Sequence, residues 1–543
     1  MHRYKKYASE IDMTGLKYPV HPSNMTKFER QNGISVNVLG YENKELFPIY
    51  LTKLRNARHE VDLLYLTRNN ESHWCFTKNL NRLLHRTNGG SHAYHFCRYC
   101  LQGFTSSKVL RRHLEYCSIH GAQHTTLPVK GKDDILKFSD YAKQLPVPFV
   151  IYADFESIEE KINDCHTSNT DTAKCTPCGY GYKVVCVDPK YSKPTTVYRG
   201  RDVSKRFIED LMREESYIKN ILSEIEPIQM TEQDEHCFQN SKQCHICERN
   251  FIECLDIKVR DHCHISGKFR GASCQSCNLN FKYPPFIPVF CHGFSHFDCH
   301  IVCQGLGKFR KEKIKCIAKS DERYTSVSLG NLRFLDSYQF LDASLEKLTN
   351  TLKEDGGIQH FKYLQAECKN VELLLRKGVY PYSYMDSYSR FEETSLPPKA
   401  DFYNKLTKSD ISDQDHQYAQ RVWRECNIHT MGEYHDLYLK TDVLLLADIF
   451  EHFRKTCVQY YKLDPTHFYT IPGLAWQAAL RMSKVELELV TDPDMYLFFE
   501  NAIRGGLSMI THKYAKANNP LLEQTFNPGE PNSYILYQDC TNL

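Results

Sequence analysis

Val147-Pro148-Phe149-Val150-Ile151-Tyr152-Ala153-Asp154-Phe155-Glu156-Ser157 is the stretch on which the reading of this chain turns. Its first seven residues carry no charge and are rich in β-branched and aromatic side chains, the pattern of a strand buried on both faces. Two carboxylates follow at the end of that run. Side chains two apart on a strand share a face, so Asp154 and Glu156 point together and can reach one cation. An acidic turn closing a strand produces the same letters, so the pair needs partners from elsewhere in the sequence.

Two segments supply them. Asp298, in His292-Gly293-Phe294-Ser295-His296-Phe297-Asp298-Cys299-His300, follows a second apolar run, Ile287-Pro288-Val289-Phe290, and is placed to open a helix. Alone, such an acid is an ordinary capping or dipole partner. Asp442 falls in Tyr438-Leu439-Lys440-Thr441-Asp442, inside a region from about 415 to 500 where helical periodicity dominates. There Leu439, Val443, Leu446, Phe450 and Phe453 recur at helical spacing, and Leu445, Leu446 and Ile449 make the surface beside Asp442 apolar. Tyr438 lies one turn earlier, so its phenol and the Asp442 carboxylate project together. Two divalent ions roughly 4 Å apart, clamped by several carboxylates, stabilise both the attacking water and the leaving oxygen of a phosphodiester. Oxygen ligands suit Mg2+ or Mn2+. In this scheme Asp154, Glu156, Asp298 and Asp442 hold metal and Tyr438 orients the water.

Composition bounds the rest. A chain of 543 residues, 41% hydrophobic, can bury a large core and divides into about three or four folding units. With 69 basic and 66 acidic residues the net charge is only +3, so any nucleic-acid surface must be local. The start, Met1-His2-Arg3-Tyr4-Lys5-Lys6, has no apolar stretch behind it, and no apolar run is long enough to span a bilayer, so the expected setting is intracellular, the nucleus included, with neither secretion nor a membrane partner. Residues from about 20 to 90 alternate short apolar runs with polar turns and carry no chemical signature, and Leu127-Pro128-Val129-Lys130-Gly131-Lys132 has the composition of a boundary.

Many of the 23 cysteines sit in C-x-x-C pairs with histidines nearby, which is metal-ligand spacing in a reducing compartment. Cys97-x2-Cys100-x12-His113-x3-Cys117, with Phe104 and Leu110 as a small core, has the spacing of a zinc finger, a closed structural Zn2+ site. Its Arg111 and Arg112 are equally suited to touching phosphate and to facing water. A second module sets Cys244-x2-Cys247 and Cys274-x2-Cys277 some thirty residues apart, a second structural Zn2+ site, with Asp261-His262-Cys263-His264 between them and Asn278 directly after. Cys165, Cys175, Cys178 and Cys186 are the exception, because no second pair with clear spacing follows them, and they read as small core residues.

Taken together, the segments around Asp154, Asp298 and Asp442 resemble the three exonuclease motifs of family B DNA polymerases of the protein-primed type, the branch found in viruses, linear plasmids and Polinton-type transposons. Leu437-Tyr438-Leu439-Lys440-Thr441-Asp442-Val443-Leu444-Leu445-Leu446-Ala447-Asp448 and Leu463-Asp464-Pro465-Thr466-His467-Phe468-Tyr469-Thr470-Ile471-Pro472-Gly473-Leu474-Ala475-Trp476 extend the likeness. The resemblance implies an α/β (α+β) chain built around a ribonuclease-H-like 3′→5′ exonuclease domain. Its expected boundaries are an N-terminal α+β region at 1–90, a zinc finger at 91–120, the exonuclease domain at 145–460 with a zinc-stapled insertion at 240–282, and a linker with an incomplete polymerase palm at 461–543. It also implies that Arg504, Gly505 and Gly506 approach template phosphates, although a turn needing positive φ would explain the glycines too. Within Tyr537-Gln538-Asp539-Cys540-Thr541-Asn542-Leu543, Asp539 stands as the first palm carboxylate, and Ser533 to Asp539 reads as a core strand. The later palm motifs would lie beyond Leu543, so polymerisation is not expected of this chain alone.

The second cysteine module resembles phage junction-resolving endonucleases of the His-Asn-His, ββα-metal class. That likeness would give Asp261 and Asn278 a metal and make His262 the general base. A passive DNA-gripping insertion fits the same residues. One departure stands out: Gly293 occupies the position where the polymerase family commonly has an asparagine contacting the substrate strand, which implies reduced exonuclease activity. The implied partners are a single-stranded 3′ end, a template-primer and a terminal priming protein. Two competing readings remain, a stand-alone zinc-containing DNA nuclease and a noncatalytic transposon-derived DNA-binding relic.

Overall fold

The computed structural model of the chain describes residues 9–18, 20–42, 45–55, 57–68, 71–88, 94–120, 126–161, 173–251, 257–307, 309, 314–320, 322–405, 408–503, 514–522 and 524–536. Packing divides the chain into two units, one of residues 1–130 with 490–543 and one of residues 131–489.

In the first unit, helix α1 (Met25–Asn32) stops at Gly33, whose φ of +64° lets its N–H close on the Glu29 carbonyl. Strands β1 (Ile34–Glu42), β2 (Glu45–Tyr50), β3 (His59–Arg68) and β4 (Glu71–Phe76) make a sheet of order β2-β1-β3-β4, with β1 and β3 parallel. Both faces are covered. Val36 and Val38 pack with Met25 of α1, while Leu39 packs with Leu80 and Leu84 of α2 (Leu80–Asn88). Even- and odd-numbered residues of β1 thus serve opposite faces by ordinary alternation, and its pairing with β2 carries a register shift between Val38 and Leu39, the signature of a bulge. A short hairpin, β5 (His95–Phe96) with β6 (Gly103–Phe104), then leads into α3 (Ser107–His120). The expected core strand at Ser533–Asp539 is not seen over its described part: Ser533 makes one isolated bridge to Asn518, and Tyr534, Ile535 and Leu536 are exposed. Strand-like composition alone did not place them in a core.

The second unit opens with β7 (Ile135–Leu136), β8 (Phe149–Lys161), β9 (Ala173–Cys186), β10 (Thr196–Arg199) and α4 (Val203–Ser223). The insertion follows as α5 (Glu232–Asn240), β11 (Lys258–His262), β12 (Phe269–Cys274) and α6 (Gln275–Asn280). The chain returns through β13 (Ile287–Cys291), α7 (Asp298–Leu306), β14 (Ile314–Ala318), β15 (Tyr324–Leu329) and β16 (Leu332–Asp336). It ends in α8 (Leu345–Gly356), α9 (Lys362–Glu367), α10 (Val371–Leu374), α11 (Asp413–Glu425), the long α12 (Met431–Tyr461), α13 (Ile471–Ser483) and β17 (Leu487–Glu488), which pairs with β7. The main sheet has the order β10-β9-β8-β13-β16-β15-β14, with β8, β13 and β16 parallel to one another, so the class is mixed α/β.

Parity along β8 fixes where its acids point. Val150 and Tyr152 belong to the layer holding Phe290, Phe340 and Phe450 of α12. Phe149, Ile151, Ala153 and Phe155 belong to the opposite layer with Phe207 of α4 and Val302 of α7. Even-numbered residues therefore face α12, and Asp154 and Glu156 continue that series. On one flank β13 ends at Cys291, whose predecessor Phe290 pairs with Tyr152, so the acids lie beyond the end of that strand. On the other flank they pair with glycines, Asp154 with Gly181 and Glu156 with Gly179. A Cβ at Gly179 would stand 2.7 Å from His435 Nε2, and one at Gly181 3.1 Å from Val443 Cγ2, so bare backbone is what lets α12 lie close to the sheet. Cys178 and Cys186 are buried as expected, whereas Cys175 is exposed because it lies where β9 runs past the covered part of the sheet; Cys165 lies outside the described residues. Among the described residues no helix is long and apolar enough to cross a membrane.

Candidate active site and zinc centres

Asp154, Glu156 and Asp442 meet between β8 and α12, each offering a carboxylate oxygen within 4.8 Å of the others. Asp442 reaches the sheet because α12 buries Leu439, Val443 and Leu446 against it, and the same turn brings Tyr438 to the cleft. Asp298 is buried at the first residue of α7 and does not join that tight set, yet its charge is felt by Glu156 and it feels that of Asp154. The four acids and Tyr438 singled out in the sequence thus share one neighbourhood, with Asp298 at its edge.

Charge in this cleft is under strain. Asp154 is pushed up to about 7, first by burial and then by the Asp442 charge. Glu156 and Asp298 are raised well above the carboxylate range by burial and by Asp154. Like charges held together out of water favour the protonated form unless a cation joins them. One cation already present is Lys377, whose Nζ donates to Asp442 Oδ2 at 2.7 Å. Burial works to lower its pKa, but Asp442, Tyr382 and Asp154 outweigh that and hold the ammonium charged. Asp442 Oδ1 remains buried without a hydrogen-bond partner. An orphaned carboxylate oxygen beside two further carboxylates is a donor set that fits a divalent cation of the Mg2+ or Mn2+ kind.

Sequence reasoning missed the segment that roofs the cleft, Lys377-Gly378-Val379-Tyr380-Pro381-Tyr382. The hydroxyls of Tyr382 and Tyr438 are 2.6 Å apart, and the Tyr380 ring stacks on that of Tyr438 with centroids 4.9 Å apart. Burial and the nearby carboxylates raise Tyr438 far above the usual phenol range, so it stays protonated. Gly378 permits the close approach, since a Cβ there would sit 2.6 Å from Tyr438 Cδ2. Tyr380 also hydrogen-bonds His435 Nδ1 at 2.7 Å, and burial drives that imidazole down to about 3, leaving it neutral. A dense run of tyrosines after a Lys-Gly pair was the available signal, but it carries no periodicity.

Asp336, also missed, anchors the loop before Asp298. It accepts the N–H of Gly293 at 2.8 Å and of Ser295 at 3.0 Å, and the Ser295 hydroxyl at 2.7 Å. Gly293 has φ +90°, and nothing lies within 4 Å of where its Cβ would be. The position therefore demands a left-handed backbone while leaving side-chain space open toward solvent.

Both cysteine clusters assemble. Cys97, Cys100, His113 and Cys117 bring their ligand atoms within 4.8 Å of one another, as do Cys244, Cys247, Cys274 and Cys277, and either set fits a tetrahedral zinc. The finger is welded to its sheet by its knuckle: Arg98 pairs with Glu60 at 3.0 Å and Asp62 at 2.9 Å, while the Arg55 guanidinium lies 3.5 Å from the Tyr99 ring centroid. In the insertion, Asp261 is buried and engaged by the Arg270 fork at 2.8 and 2.9 Å and by His245 Nε2 at 3.0 Å. Burial would raise its pKa, but the hydrogen bonds from His245 and Arg270 and the Arg270 charge hold it below the usual range. The His262 and His264 rings lie 5.0 Å apart, and Asp261, His262 and His264 do not gather into a metal-holding set among the described residues. Asn278 sits half-exposed on α6. Arg504, Gly505, Gly506 and Asp539 lie outside the described residues.

With that geometry in hand, two family comparisons bear on the chain. Residues 280–521 match DNA polymerase type B, organellar and viral, a span that takes in Asp298, Lys377, Tyr438 and Asp442. Residues 221–282 match recombination endonuclease VII, a span that takes in the second cysteine cluster. Over these spans the chain is similar to family B DNA polymerases of the organellar and viral type and, in the insertion, to recombination endonuclease VII, which supports a protein-primed polymerase with an endonuclease-like insertion. A comparison with individual curated proteins gives no match.

Proposed function

We propose that residues 145–460 form a ribonuclease-H-like 3′→5′ proofreading exonuclease, interrupted by the insertion at 240–282 and followed at 461–543 by the beginning of a polymerase palm. The observation that carries this reading is the meeting of Asp154, Glu156 and Asp442, from a strand and a helix nearly three hundred residues apart, around an unpartnered buried carboxylate oxygen. Asp154, Glu156, Asp442 and, at the edge, Asp298 would hold Mg2+ or Mn2+. When bound, such ions activate water and stabilise charge on a cleaved phosphodiester. Tyr438, kept protonated and hydrogen-bonded to Tyr382, orients the attacking water through its phenolic oxygen instead of removing a proton. Lys377 sets the resting charge of the cleft and supplies a cation toward phosphate oxygen. The substrate is a single-stranded 3′ end of DNA, with a template-primer and a terminal priming protein as the wider partners.

The purified chain with Mg2+ should shorten a 5′-labelled single strand from its 3′ end, and Asp154→Ala with Glu156→Ala should reduce this at least a hundredfold. Shortening that survives the double substitution would sink the assignment. For the insertion, the engagement of Asp261 by Arg270 and His245 favours a zinc-stapled element that grips DNA over an independent nuclease. Nicking of branched DNA that disappears in His262→Ala would reverse that choice.

A further inference from the structure

The second unit contains a cleft of about 480 Å³ that the acidic site does not use. Its walls come from the segment after β7, the zinc knuckle of the insertion and the end of α13. We propose that this cleft binds a nucleoside phosphate, with the phosphate held by Arg481 and Lys484 and the base laid against Phe138 and Tyr141.

The size suits one nucleotide, within the common range of small-ligand pockets of roughly 300–1,000 Å³. Arg481 supplies the main argument. Its side chain is only 14% exposed, and one terminal nitrogen donates to Glu248 at 2.7 Å and toward Gln144 at 3.4 Å, while its Nε is buried with no partner. That Nε has no surface open to the cleft, so a phosphate would meet the terminal nitrogens of the fork in place of Glu248 and Gln144, and phosphate oxygens match the geometry of the planar guanidinium. Charge points the same way. Lys137, Arg249, Arg481 and Lys484 face the cleft against Glu248 and Glu486. Arg249 lies 3.5 Å from Cys247 Sγ and is engaged by the cysteine cluster, which leaves three cations for two carboxylates. The pairs Lys137–Glu486 at 2.8 Å and Lys484–Glu248 at 3.3 Å are solvent-exposed, and such pairs exchange readily for a phosphate. Phe138 and Tyr141 meet edge-to-face at 5.2 Å, both only half-buried, and offer a ring on which any base can stack.

The same chemistry is presented by one residue of a DNA strand and by a free deoxynucleoside triphosphate. The test uses the full chain carrying Asp154→Ala and Glu156→Ala, so that DNA is not shortened, titrated by fluorescence anisotropy with short oligo(dT) and by calorimetry with dATP. Adding Arg481→Ala and Lys484→Ala should weaken one of the two ligands about tenfold, with zinc content unchanged. Lys484→Glu, at an exposed position that does not threaten folding, should weaken the same ligand. Loss confined to oligo(dT), with 5-iododeoxyuridine crosslinks at Tyr141 or Phe138, assigns the cleft to a DNA strand; loss confined to dATP assigns it to the free nucleotide. Unchanged affinity for both ligands in both variants overturns the proposal.

Discussion

Single residues decide the chemistry of the acidic cleft, and Lys377 is the most informative of them. Its ammonium is the neutralising cation nearest the carboxylates, so Lys377→Met should leave Asp442 without its 2.7 Å donor and destabilise the metal-free protein by about 1–3 kcal/mol, the cost of an uncompensated carboxylate softened by partial solvent access. Thermal melts with and without Mg2+ measure this, and the deficit should shrink when the ion is present; strand shortening should fall about tenfold or more. Gly293 tests the opposite direction. The open space around it accepts a side chain, and asparagine tolerates positive φ better than most residues. Gly293→Asn should therefore change the melting temperature little and raise strand shortening several-fold, read on a labelled oligonucleotide. Asp154, Glu156 and Asp442 were legible in the sequence because strand parity and helix periodicity dictate where they point. Lys377, Tyr382 and Asp336 were not, because each acts from an irregular segment whose direction only the packed structure sets.

At the scale of elements, α12 was legible from its apolar spacing, but what ties it to β8 was not. Arg454 donates to Asp464 at 2.6 Å and to the Val147 carbonyl at 2.9 Å, while Asp464 accepts the Val147 N–H at 2.8 Å, so the helix end clamps the start of the strand that carries the acids. Burial alone would raise Asp464, but Arg454 outweighs it and holds the carboxyl at about 2, below its usual value. Because the folded form releases this proton more readily than the unfolded one, the stabilisation is complete above pH about 4 and fades as pH falls toward 2. It is worth on the order of 2 kcal/mol. Asp464→Asn should cost somewhat more at neutral pH, about 3 kcal/mol, since it takes the fully buried counter-charge from Arg454 and leaves only Glu451, at 2.6 Å. The difference between the two proteins, followed by urea unfolding, should narrow between pH 4 and pH 2. A constant difference across that range would mean the pair does not link helix to strand. The strand order of the main sheet was equally hidden, because periodicity reports which face of a strand is buried and is silent on which neighbour it pairs with.

For the molecule as a whole, the two cysteine clusters were the most legible feature, since four ligands within some thirty residues specify a tetrahedral site almost without reference to the rest of the fold. Their surroundings were not legible: nothing in the spacing indicated that Arg98 inside the first knuckle pairs with Glu60 and Asp62 of β3, or that Glu248 beside the second meets Arg481 of α13. With these contacts a zinc bound in either cluster would staple the unit that holds it, and the two units hold one cluster each. Metal analysis of the purified chain should accordingly find two zinc ions per molecule. Cys100→Ser should remove one and Cys277→Ser the other, because losing a thiolate from a closed four-ligand site forfeits most of its affinity while the distant site keeps its own ligands. The consequences should separate as well. Cys100→Ser should increase amide hydrogen exchange in α3 and along β3, where the finger is anchored, and leave α12 protected. Cys277→Ser should loosen β11, β12 and α6 and shorten the lifetime of the α13 end. Exchange that rose uniformly across the chain in either variant would show that the zinc sites support one global fold, and the independence of the two staples would have to be given up.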